Sequence, residues 1–225
     1  MLNRIILWVF TSLIIPFGNA QTLQQKDTPA LLMEDILTVK RDLRSATTSS
    51  RNRIAQFLDS LYIGHLNQVQ ELNKTSKCAQ CYEMVRVKWV YNGKFHGSLK
   101  IDIQAFTGKD EPVEYTDYAL FDLTSGQECY LYDLISQNKK EDLLVRLNQK
   151  LEEARIKLKS CKPLQEDPLP EKIYEEQLMQ LRLDQKGIFV HDIYIAPSHS
   201  HCNPEIRLDF NEAKAYFNPG LFIIY

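Results

Sequence analysis

After its first twenty residues this sequence has no apolar run approaching the roughly 20 residues that cross a bilayer, so no transmembrane segment is expected after signal cleavage. It also lacks the short motifs that announce a reaction. There is no G-x-S-x-G nucleophile turn, no H-E-x-x-H zinc helix, no phosphate-cradling P-loop and no dinucleotide fingerprint. Asp and Glu are scattered, and no pair is placed by the chain pattern as two carboxylates flanking a glycosidic bond. A basic stripe is missing as well: 27 Lys and Arg stand against 29 Asp and Glu, a formal net charge of −2. That balance argues against nucleic acid or anionic membrane as a general partner. With no recognisable catalytic motif, the expected class is a binding protein and not an enzyme.

The one long apolar run lies at the N-terminus. Arg4 supplies a positive start, Ile5 to Ile15 an apolar stretch, and Pro16 to Ala20 a helix-breaking end with Gly18 and Ala20 as small residues before the cut. These are the three parts of a signal peptide over residues 1–20, cleaved before Gln21. No cysteine follows the run, which argues against a lipoprotein anchor. Loss of Arg4 moves the net charge from −2 to −3. The reading is a periplasmic or secreted bacterial protein.

Export places the five cysteines in a disulfide-permissive compartment. Cys78, Cys81, Cys129, Cys161 and Cys202 are all disulfide candidates, and five is odd, so at least one is free, paired between chains or metal-bound. Cys78 and Cys81 form a CxxC, but β-rich sequence follows directly, whereas a redox pair sits at a helix N-terminus. A helix from Lys140 to Ser160 would be about 30 Å long. It separates Cys129 from Cys161, so that pair is not expected to bridge.

Periodicity divides the mature chain in two. Over residues 21–77, Leu32, Ile36, Val39 and Leu43 recur at helical spacing after Thr28-Pro29. Beyond the polar patch Ser45 to Ser50, a second stripe carries Ile54, Phe57, Leu58, Leu61, His65, Leu66, Val69 and Leu72. Two amphipathic helices joined by a polar turn predict an N-terminal helical hairpin.

Residues 78–225 read as an α+β domain. Tyr82 to Tyr91 alternates as a strand, Asn92-Gly93 marks a hairpin, and Phe95 to Ile103 returns. His96 beside that turn reads as a solvated residue. Tyr115 to Leu123 is a third strand closing on Ser125-Gly126. Leu143, Leu144, Leu147, Leu151, Ala154 and Leu158 then predict the long helix. Leu181 to Asp184 and Ile188 to Ile195 form a second hairpin around Gln185-Lys186-Gly187. Glu205 to Phe210 is a last strand, with Asn211 capping a short C-terminal helix. The fold class expected is thus α+β: an antiparallel sheet packed with a long helix and a short C-terminal helix, preceded by the hairpin.

The candidate site is the loop between the last two strands. His199, His201 and Cys202 lie there, and His191 precedes it. Imidazole and thiolate both suit zinc, although HxHC is more compressed than a standard zinc spacing. No cofactor is expected; zinc is the metal these four residues would take. The alternative function is accordingly a metal- or thiol-dependent enzyme using the His199/His201/Cys202 loop.

A resemblance adds to this reading. It runs through Ala119-Leu120-Phe121-Asp122-Leu123-Thr124-Ser125-Gly126, Leu131-Tyr132-Asp133-Leu134-Ile135, Leu183-Asp184-Gln185-Lys186-Gly187-Ile188-Phe189-Val190, Asp192-Ile193-Tyr194-Ile195-Ala196-Pro197 and Ile206-Arg207-Leu208-Asp209-Phe210-Asn211-Glu212. Over about residues 118–217 the chain resembles an extracytoplasmic α+β domain family of unknown function. That family includes the outer domain of RsiV-type anti-sigma factors and the accessory domain of PdaC-type peptidoglycan deacetylases. The resemblance implies a binding module outside the cytoplasmic membrane, its partner a cell-wall component or envelope protein. It brings no catalytic residues. After Ala196-Pro197 the chain departs from the family pattern, with Ser198-His199-Ser200-His201-Cys202 in place of an aromatic residue and a nearby glycine.

Overall fold

The computed structural model describes residues 30–34, 39–40, 42–43, 47–75, 81–106, 108, 111–161, 169–191 and 204–223. Among them are eight strands: β1 (Ala30–Glu34), β2 (Tyr82–Asn92), β3 (His96–Phe106), β4 (Val113–Asp122), β5 (Glu128–Cys129), β6 (Leu181–Asp184), β7 (Gly187–Val190) and β8 (Arg207–Leu208). The helices are α1 (Thr48–Thr75), α2 (Lys140–Lys157) and the single turn α3 (Phe210–Ala213). Strands β1 to β5 form one sheet in sequence order and β6 to β8 a second, so the α+β class is as expected.

The meander β2-β3-β4 carries the first core. Val85 and Val87 alternate with exposed Arg86 and Lys88, and Leu99, Ile101 and Ile103 lie on the same side of β3. Against that face α1 lays Ile54 and Leu58, while Phe57 meets Phe121 edge-on at 5.1 Å. A register shift between Trp89 and Tyr91 inserts one residue and turns Tyr91 to the opposite face. Trp89 therefore stays with the first core, its indole N–H donating to the Val39 carbonyl at 3.1 Å. Tyr91 enters the second core, its hydroxyl donating to the Leu221 carbonyl at 2.7 Å.

That second core fills the space between α2 and the smaller sheet. Leu143, Leu147 and Leu151 of α2 pack with Leu181, Leu183, Ile188 and Leu208, and Leu120 of β4 joins from the first sheet. Asn148 pins the approach to β6: its amide donates to the Ile173 carbonyl at 3.0 Å and accepts from the Ile173 N–H at 2.8 Å.

The N-terminal hairpin is corrected at its start, Ala30–Glu34, while Val39–Lys40 of the same stripe are helical. Where its first helix was expected, Ala30–Glu34 is a strand, parallel to β2 in the register Ala30↔Tyr82 to Glu34↔Arg86. Pairing with β2 satisfies the N–H and C=O groups that β2 would otherwise leave bare at the sheet edge. Val39 and Leu43, the later half of the expected stripe, are buried with α1 in the first core. The second helix stands as α1, packed on the sheet, with helical Val39–Lys40 beside it and Lys40 paired to its Asp59 at 2.6 Å. Asp209 caps α3, accepting from the Asn211 and Glu212 N–H groups, so the cap assigned to Asn211 belongs two residues earlier. The last strand is shorter than expected, Arg207–Leu208. Residues 1–20 lie outside the described residues.

The turn closing β4 docks the start of α1. The Ser50 hydroxyl donates to the Leu123 carbonyl at 2.8 Å, and Gly126, at φ 74°, lies against the Ser50 backbone. Asp122 organises the turn. Its carboxylate accepts from the Thr124 N–H at 2.7 Å, the Thr124 hydroxyl at 2.6 Å and the Ser125 hydroxyl at 3.1 Å. Burial alone would raise this carboxyl, but those bonds outweigh it and hold it below its ordinary value. A carboxyl depressed by folding stabilises above its unfolded value, near pH 4, and that contribution is lost as pH falls through the folded value. Asp122→Asn should lower stability at pH 7 by about 1 kcal/mol. It should also flatten the acid limb of stability against pH below about pH 4, read by urea unfolding at a series of pH values.

Candidate functional site

The polar face of the first sheet, where the second sheet meets it, gathers a connected set of interacting polar and aromatic side chains. On β3 and β4, Lys100 pairs with Asp102 at 2.5 Å, the Thr116 hydroxyl donates to Asp102 at 2.6 Å, and Gln104 donates to Glu114. These residues alternate with the buried row on the same strands, so sequence period two puts them on the outer face. With Met84 and Arg86 of β2 they line an open groove of about 260 Å³.

At the upper end of the groove the second sheet closes in. Tyr118 meets Phe189 edge-on at 5.3 Å and His191 at 5.0 Å. The Nε2 of His191 lies 2.8 Å from the Thr116 carbonyl. A carbonyl only accepts, so Nε2 carries the proton. Arg207 holds Asp184 in a two-pronged pair at 2.6 and 3.0 Å, reaches Glu205 at 2.5 Å and lies over the Phe189 ring at 4.8 Å. Burial, followed by the Asp184 and Asp102 charges, pushes the Tyr118 phenol up to about 12. It is therefore a neutral donor at physiological pH and not a base. A second cavity of about 290 Å³ lies beyond Arg207, between Lys150 and Glu153 of α2 and Glu205.

Of the four metal candidates, only His191 is among the described residues, and it joins the two sheets through a ring proton given to a carbonyl. His199, His201 and Cys202 lie outside the described residues. No group of three or more His, Cys, Asp or Glu disposed for a metal occurs among those described. Of the disulfide candidates, Cys81 and Cys161 are disulfide-bonded, Cys129 is a free thiol, and Cys78 and Cys202 lie outside the described residues. Burial pushes the Cys129 thiol up to about 12, with the Asp122 charge adding to it. It is held as the unreactive thiol, unlike a nucleophile, which needs a lowered value.

One histidine differs from its sequence reading, and another gains a partner that the sequence does not show. The sequence places His96 at a solvated turn, yet it is half-buried opposite Asp122 in the β3-β4 ladder; burial lowers its basicity and the Asp122 charge opposes that. His65 follows the apolar stripe of α1 into the interior, where its Nδ1 meets the Glu83 carboxylate at 2.5 Å. The helical period announces its burial; nothing local announces the acid on β2.

No protein-family model matches the chain, and no curated protein matches it. Solved structures do. A DUF3298 family protein from Pseudomonas aeruginosa PAO1 is similar with a TM-score of 0.52 at 11% identity, covering 69% of this chain and 70% of that one. A member of the same family from Bacteroides fragilis gives a TM-score of 0.44 at 16% identity, covering 74% of this chain and 64% of that one. The first likeness establishes the fold: an α+β arrangement shared with a domain family of unknown function.

Proposed function

We propose that the protein is an exported, non-enzymatic binding module for a cell-envelope component, and that the groove on β2, β3 and β4 is its contact surface. The observation that carries this is the groove's lining. Arg86, Lys100, Asp102, Gln104, Glu114 and Thr116 present donors and acceptors of both signs within one open concavity of about 260 Å³. Such a surface suits a ligand dense in hydroxyl, amide and carboxylate groups, as cell-wall glycan and its peptides are, and a rigid sheet presents it with little ordering cost. The resemblance to RsiV-type outer domains and PdaC-type accessory domains supports the envelope as the place of action.

The test is co-sedimentation of the mature protein, from Gln21 onward, with isolated peptidoglycan over a range of salt. Saturable binding that survives moderate salt is expected, weakened roughly tenfold when Lys100 and Gln104 are both changed to Ala, the value of one or two charge-assisted hydrogen bonds. No saturable binding would overturn the proposal.

A further inference from the structure

A β-sheet has two edges, and here they are treated differently. On one side β1 pairs with β2; on the other, β5 pairs with β4 only at Leu120 and Phe121. No described strand runs beside β4 from Val113 to Tyr118. The direction of its backbone groups follows from its own turn. Leu123 N–H donates to the Phe95 carbonyl, on the β3 side, and Asp122 N–H to the Gln127 carbonyl, on the far side. Backbone groups alternate direction along a strand. Glu114, Thr116 and Tyr118 therefore turn theirs away from β3.

Two of these groups are already used. His191 takes the Thr116 carbonyl, and the Asp117 carboxylate takes the Tyr118 N–H at 2.7 Å. Among the described residues, the N–H and C=O of Glu114, the N–H of Thr116 and the C=O of Tyr118 have no bond, and they face outward. Pro112, which has no N–H, bounds this window at one end and β5 at the other. Edge strands are ordinarily blunted by lysine, by a bulge or by an inserted proline. Between Val113 and Asp122, β4 has none of these, and its pairing with β3 runs without a break from Ala105↔Val113 to His96↔Asp122.

Along the strand itself the charge has one sign, although Lys100 across β3 and Arg182 and Arg207 of the second sheet stand on its groove face. Residues 111–138 contain six acidic residues and no Lys or Arg, in a chain that has 27 of them. Glu111, Glu114 and Asp117 are exposed, and so are the apolar Val113 (61%) and Tyr115 (48%) on the opposite face from Glu114. Asp117 also adds to the upward shifts of Glu128 and Tyr115, each due first to burial, while Arg182 opposes it at Glu128.

We propose that the β4 edge between Pro112 and β5 takes up a short, extended, cationic segment of a protein partner as an added strand. Main-chain bonds to Glu114 and Thr116 would hold it, basic side chains on one face would meet Glu114, and the alternate apolar ones would cover Val113 and Tyr115. A second copy of β4 is the wrong occupant, because its acids would face these. The inference deepens the binding reading by naming a partner class, and it stands on the strand edge, not on the groove's side chains.

The probe is a labelled seven-residue peptide of alternating Lys and Val, compared with the same peptide N-methylated at alternate amides and with its Glu/Val counterpart. Fluorescence anisotropy should show the Lys/Val peptide binding the mature protein and the N-methylated and Glu/Val forms binding at least about tenfold more weakly, the value of two or three hydrogen bonds or charge contacts. Glu114→Lys should weaken the parent peptide similarly, because Glu114 is the acid on the face that the lysines meet. In amide NMR, Glu114 and Thr116 should shift and gain exchange protection on addition of the Lys/Val peptide. No binding, indifference to N-methylation, or unmoved Glu114 and Thr116 amides would each overturn the inference. Peptidoglycan sedimentation run in parallel separates the two readings: loss of peptidoglycan binding with peptide binding intact removes the groove alone, and the reverse removes the edge alone.

Discussion

Gly187→Ala should destabilise the protein by about 3 kcal/mol or more, lowering the melting temperature by roughly 6–12 °C for a chain of this size. Two causes act together. Gly187 opens β7 at φ 134°, a conformation that L side chains rarely adopt. A Cβ there would also run into the Leu208 carbonyl of β8 and come within 3.0 Å of the Asp209 Cα. Both obstacles are backbone and cannot swing aside as a side chain would. Relief would have to come from parting β7 and β8, which also seat α3 and its Asp209 cap. Gly64→Ala is the control. It lies within α1 with nothing within 4 Å of an added Cβ, and should stabilise by about 0.5–1 kcal/mol. Urea unfolding of the two variants beside the parent measures both. Equal effects would show that backbone crowding at Gly187 is not what holds β7 to β8.

His65→Ala should cost about 3 kcal/mol or more, because it strands the Glu83 carboxylate in the interior. His65 is 7% exposed and Glu83 3%, and their contact at 2.5 Å ties α1 to β2 at the end of the first core. Glu83→Gln keeps a neutral acceptor for the ring and should cost only about 1 kcal/mol. Replacing both residues by leucine exchanges a buried pair for apolar packing and should recover much of the loss. The comparison is made by urea unfolding with all three variants at pH 7. A cost below about 1 kcal/mol for His65→Ala would mean that α1 is held by Ile54 and Leu58 alone.

Local patterns made most of the elements readable. The two-residue alternation of Val85, Val87, Leu99, Ile101 and Ile103 and the helical spacing of Leu143, Leu147 and Leu151 place strands and helix correctly, because side-chain direction is fixed by short-range geometry. The failure at Ala30–Glu34 has a physical reason. Four apolar residues in succession fit a helix stripe or a buried strand, and only the distant partner Tyr82–Arg86 decides between them. Likewise the bulge at Trp89 and Tyr91 depends on the two cores that claim those rings. At the candidate site, His191 was legible as one histidine near a loop. Its bond to Thr116, 75 positions away, was not. The groove was readable only as the polar half of each strand, since its shape exists once β2, β3 and β4 lie side by side. His65 shows the same division: the pattern gives its burial, and topology gives its acid.

The parallel seam between β1 and β2 sets an order of assembly. β2, β3 and β4 follow one another through short connections, so their pairing closes small loops at low entropic cost. Ala30 reaches Tyr82 only after the whole of α1 has been laid between them. Long closures of this kind are rewarded late, so the meander is the fast side of the sheet and β1 the slow one. Until β1 arrives, the β2 backbone from Tyr82 to Arg86 is a second bare edge, and the nascent domain is at its most adhesive in that interval.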